Sequence, residues 1–129
     1  MSDVLAPYRD AEFRWGEMDC CLFVADVLKA MHGRDYAEQW RGKYSTEFGA
    51  RRLVVKHGGL EGLASSVFGP MRPVSECGEG SPVLLHRKMV EQDTVGGALG
   101  IIHGGRVVYL TQRGLAEAPT RYAVGGWNV

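Results

Sequence analysis

The sequence predicts an α+β domain, helices first and an antiparallel sheet after them. Three observations point there. Residues 1–70 carry apolar side chains at helical spacing, residues beyond 82 fall into short apolar runs of strand length, and a Gly-Gly pair joins two of those runs. Helical and strand segments that are segregated along a chain in this way belong to α+β architectures.

The first strong helix runs from Cys20 to His32. Asp19 is a good N-cap, and Phe23, Val24, Val27, Leu28 and Met31 recur at spacings of three and four. Gly33 supplies the stop. A short second helix is expected from Asp35 to about Trp40. Ser45 or Thr46 caps a third, with Phe48, Leu53 and Val54 facing inward and Gly58-Gly59 ending it. A fourth, from about Leu60 to Phe68, is stopped by Gly69-Pro70. Residues 71–81 form a Pro/Gly/Ser-bearing connector inside one domain (helical half 1–70, sheet half 82–129). Val83 to Arg87 is the first strand. Ala98 to His103 and Arg106 to Gln112 flank Gly104-Gly105, a two-residue hairpin signal. Leu115 to Ala118 and Tyr122 to Val129 are expected to form another strand pair. The stretch from Arg87 to Gly97 is the longest exposed connection, a candidate flap or partner-docking loop.

Composition narrows the function. The chain has 129 residues, enough for one core. Fifteen basic and fifteen acidic residues cancel. This balance gives no electrostatic footprint for nucleic acid and no polybasic membrane patch. The first twenty residues are charge-rich and lack the apolar core of a signal peptide. No run approaches the ~18 apolar residues of a membrane span. The three cysteines are odd in number, and Cys20 and Cys21 are adjacent, which argues against a disulfide framework. Metal-ligand spacing is absent, because there is no C-x-x-C and His32, His57, His86 and His103 lie far apart. No cofactor and no metal are expected, and the chain reads as made in a reducing cytoplasm.

Chemistry concentrates at Trp15-Gly16-Glu17-Met18-Asp19-Cys20-Cys21. Cys20 would occupy the first position of a helix, where unsatisfied N–H groups and the helix dipole favour a thiolate. Cys21 lies about 100° round the helix, so one of the two is expected to face any given cleft. The competing reading makes both cysteines small core residues.

Asp19-Cys20 before an amphipathic apolar helix resembles the signature of NlpC/P60-type cysteine peptidases. That resemblance implies a papain-like α+β fold, with the nucleophile at a helix N-terminus and a base on the sheet. Gly80-Ser81-Pro82-Val83-Leu84-Leu85 resembles that family's Gly-Asp strand. Ala98-Leu99-Gly100-Ile101-Ile102, Gly104-Gly105 and Val107-Val108-Tyr109 resemble its His-bearing hairpin. The ordered set Trp15-Gly16, Asp19-Cys20, Gly33-Arg34-Asp35, Arg41-Gly42, Tyr44, Gly49-Ala50, Leu99-Gly100 and Trp127 is more similar still to small proteins encoded among phage and prophage tail genes. The resemblance implies assembly into a virion tail, with tail hub and tip proteins as partners and peptidoglycan peptides as a substrate.

The pattern departs from that family where the base belongs. Ala98 stands at the catalytic His position, Ser81 replaces the aspartate, and the third polar position falls near Tyr109 or Thr111. With Gly104-Gly105 as the turn, His103 pairs with Arg106 and Ala98 with Thr111. His103 is then roughly 17 Å along the strand from Ala98 at about 3.3 Å per residue, too far to substitute. His86, at the end of a strand antiparallel to Ala98–His103, is the candidate base; the plainer reading makes it a solvated strand end. His32 and His57 read as helix C-terminal residues. Arg41 reads as a turn residue paired with Asp35 or Glu47, Arg51-Arg52 as the solvated face of the third helix, and Trp15, Trp40 and Trp127 as core or interface aromatics.

Two functions follow. One is a cysteine hydrolase of cell-wall peptides, with Cys20 as nucleophile and His86 as base. The other is an inactive structural tail component that docks on hub or tip proteins. A cytosolic assembly factor is a third reading, suited to the neutral charge and the free thiol.

Overall fold

In the computed structural model, which describes residues 2–86 and 97–129, N-terminal helices pack against a C-terminal five-stranded antiparallel sheet. The elements are α1 (Ser2–Leu5), α2 (Cys20–His32), α3 (Glu47–Lys56), α4 (Gly59–Phe68), β1 (Pro82–Leu85), β2 (Ala98–His103), β3 (Arg106–Thr111), β4 (Gly114–Pro119) and β5 (Ala123–Gly126). The expected flap falls on residues 87–96, outside the described residues, apart from its end at Gly97.

Helix α2 has the predicted limits. Asp19 caps it, and Gly33 ends it in the left-handed region at φ 78°. Phe23, Val24, Val27 and Leu28 are fully buried, and Met31 is exposed in the last turn. Helix α3 is capped by the Thr46 hydroxyl, which accepts from the Gly49 amide at 3.0 Å.

Strand positions alternate between two clusters, as a period of two requires. Leu84, Leu99, Ile101, Val108 and Leu110 pack with the inner face of α2 and with Trp127. Val83, Leu85, Ala98, Ile102, Val107 and Tyr109 gather with Cys20. The β2–β3 hairpin closes with His103 opposite Arg106. Gly100 serves close packing there, since a Cβ would lie 2.5 Å from Val107 Cγ1.

Three expectations are corrected. No helix forms at residues 35–40, where 36–40 are turns. The Asp35 carboxylate accepts from the Ala37 amide at 3.1 Å and binds Arg41, which fixes a local turn. Second, β4 and β5 do not pair; the strand order is β4-β3-β2-β1-β5, which puts them on opposite edges. A short 3-10 turn at Thr120–Tyr122 precedes β5, which pairs with β1. The connector then continues that edge, because Arg72 and Gly126 exchange both backbone hydrogen bonds, at 2.8 and 2.9 Å. Third, Phe48 points out. Ala50 and Val54 are the buried residues of α3, and Phe48 lies two positions from Ala50, about 200° round the helix.

Candidate functional site

Asp19 organises the site. It is 2% exposed, and its carboxylate meets four donors. Oδ1 accepts from the amides of Cys21 at 3.1 Å and Leu22 at 3.0 Å. Oδ2 accepts from the Gly16 amide at 3.1 Å and from the Tyr44 hydroxyl. Its role is therefore to cap α2 and to tie the preceding turn and the 41–46 segment to it. Burial, and then the Asp19 charge, push the Tyr44 phenol well above its ordinary range, so Tyr44 stays a donor. Gly16 is required by close approach as well as by φ 81°, since a Cβ would lie 1.7 Å from the Tyr44 carbonyl oxygen.

Cys20 begins α2, as expected, and is 6% exposed. Its Sγ has Cys21 Sγ at 3.9 Å as its hydrogen-bond partner. That bond, then burial, pushes the Cys21 thiol well up. Both cysteines line one crevice of about 40 Å³, with Trp15, Trp40, Tyr44 and Leu63 also on its wall. The expectation that a cleft would see one of the pair is thus corrected: the two sulfurs turn toward each other despite the angle between adjacent helical positions. Trp40 Nε1 is a buried donor without a partner among the described residues.

Ala98 is buried at the start of β2 and opposes Leu85 of β1. His86 follows Leu85, so it sits beside the Ala98 slot along the sheet. It is exposed, and its amide donates to the Tyr122 carbonyl at 3.1 Å. His103 lies at the far end of β2, where its Nδ1 pairs with Glu79 Oε2 at 2.6 Å. Glu79 also accepts from the Gly104 amide, which clamps the hairpin turn. His57 Nδ1–H donates to the Leu53 carbonyl at 2.9 Å, and its ring meets Trp40 edge-on. Among the described residues no group of three His, Cys, Asp or Glu could hold a metal ion, and no helix is long and apolar enough to cross a membrane.

Beside the site, Arg41 bridges Asp35, at 2.8 Å, and Asp26. Asp35 is one of the two expected partners, and Asp26 was not anticipated. The Arg41 hydrogen bond holds the Asp35 carboxyl below its usual range. We expect Arg41→Ala to cost about 1–2 kcal/mol at neutral pH, between exposed and fully buried pairs. A carboxylate with a depressed folded-state pKa contributes stability above its unfolded value and loses it as pH falls through the folded one. The gap between wild type and Arg41→Ala should therefore shrink as pH drops below about 4. Urea unfolding at pH 7 and pH 3 checks both parts; an equal gap at both would remove the ion pair from the account.

Tyr44 and Glu79 were the residues missed. Tyr44 stood only in the set of residues that carries the resemblance, and nothing local connects it to Asp19, 25 positions away. The chain belongs to the DUF6950 family, a domain of unknown function, which matches residues 1–129. No curated protein matches it.

Proposed function

We propose that this chain is a phage tail-associated component that keeps an NlpC/P60-like scaffold and works by docking on other tail proteins, not by hydrolysis. The observation that carries the choice is the surroundings of Cys20. The thiol is packed with Ala98, Val83, Leu85 and Tyr109, and its hydrogen-bond partner is another thiol. General-base activation needs an acceptor within hydrogen-bond reach of the proton to be moved. Alanine cannot supply one. The tail assignment is supported by the resemblance carried from Trp15-Gly16 through Trp127.

A hydrolase is the second reading. It is favoured by the position of Cys20 on the first turn of a well-capped helix, beside a crevice. His86 would then supply the base. Clearing of purified sacculi separates the two. We expect wild type and Cys20→Ala to leave turbidity unchanged alike. Clearing by wild type that Cys20→Ala and His86→Ala both abolish would establish the hydrolase instead.

A further inference from the structure

The two large apolar side chains that stand furthest into solvent among those described are Val55, 76% exposed, and Phe48, 70% exposed. They lie seven residues apart on α3, which puts them on one face two turns apart. Arg51, Arg52 and Lys56 are exposed at the intervening and following positions. Positions 48, 51, 52, 55 and 56 thus form a continuous stripe at helical spacing, opposite the buried Ala50 and Val54. The Arg52 guanidinium lies 5.9 Å from the centre of the Phe48 ring, holding a cation beside the apolar surface. Glu47 is the one acidic residue of α3. Arg52 and Lys56 set two exposed cations beside two bare hydrophobics on this face. Scattered single apolar residues need no explanation, but a row of them edged by one sign of charge marks an interaction face.

The geometry points to α3 as a docking face for an acidic amphipathic helix of another protein. Its apolar residues would cover Phe48 and Val55, and its carboxylates would pair with Arg52 and Lys56. The zero net charge disfavours nucleic acid and anionic membranes, because neither is held by two cations without a wider basic field. Apolar helix faces and Arg are common anchors in such contacts. This inference rests on the docking reading and names the partner's chemistry.

The test is selection of helical peptides from a random display library on the immobilised full-length chain. Enriched peptides should be net acidic, with apolar residues three and four apart. Their affinity should fall at least tenfold for Phe48→Ala and for Arg52→Glu. Lys-for-Glu versions of the peptides should recover binding to Arg52→Glu. Both substitutions are on the surface, so circular dichroism should show unchanged folding. No enrichment, neutral or basic winners, or equal binding to wild type and Phe48→Ala would overturn the proposal. So would a dimer in sedimentation equilibrium that Arg52→Glu dissolves, or equally tight binding to phosphatidylglycerol vesicles, since each assigns the face to a different occupant. Sacculus clearing would overturn the docking reading itself while leaving these peptide results readable on their own.

Discussion

Asp19→Ala should lower unfolding stability by about 3–5 kcal/mol. The loss of a helix N-cap alone costs about 1 kcal/mol. Here the same carboxylate also satisfies the Gly16 amide and the Tyr44 hydroxyl in a buried setting, and each buried donor left unpaired adds about 1–3 kcal/mol. Some of these donors will find water, which keeps the sum below the simple total. Asp19→Asn preserves one acceptor oxygen and should lose about 2 kcal/mol, and Tyr44→Phe about 1–2 kcal/mol. The double substitution Asp19→Ala with Tyr44→Phe should cost less than the two single losses together, because the groups share one bond. Urea denaturation measures all four. An Asp19→Ala loss under about 1 kcal/mol, the value of an ordinary cap, would show that the carboxylate does not tie the 41–46 segment to α2.

Trp127→Ala is the second large effect, at about 3–5 kcal/mol. The indole is 1% exposed, meets Phe68 at 5.7 Å, and donates from Nε1 to the Gly69 carbonyl at 2.9 Å. Its own amide bonds the Pro82 carbonyl at 3.0 Å, so one residue joins the end of α4, the start of β1 and the C-terminal strand. Trp127→Phe keeps much of the packing and loses the side-chain hydrogen bond, so it should cost about 1–2 kcal/mol. Thermal unfolding followed at the near-ultraviolet indole band tests the ranking. Equal losses for Ala and Phe would place the energy in the hydrogen bond and not in the packing.

The parts of the fold set by local chemistry were legible in the sequence. Helix α2 was readable because its cap, its apolar spacing and its terminal glycine agree over a single short stretch. The β2–β3 hairpin was readable because Gly104 and Gly105 both adopt the positive φ that a tight turn demands. Long-range choices were not legible. Which edge β5 joins depends on the seating of Trp127 against α4 and β1, contacts up to 58 residues apart. Phe48 misled for a related reason. Hydrophobicity suggests the interior, but small Gly49 and Ala50 let α3 sit close to the Tyr44 segment, and that rotation turns Phe48 to solvent. At the site, the position of Cys20 was legible from Asp19. The four-donor cage around Asp19 was not, because Tyr44 reaches it from a separate segment.

The central claim is that Cys20 is a packed thiol and not an activated nucleophile. Iodoacetamide labelling from pH 5 to pH 9, with each cysteine mapped by mass spectrometry, tests it most directly. Cys77, outside the crevice and half-buried, should label first. Cys21 should follow slowly, and Cys20 last, at a rate that tracks opening of the fold and rises in mild urea. Fast labelling of Cys20 already at pH 6, ahead of both others and insensitive to urea, would contradict the account and return the protein to the hydrolases.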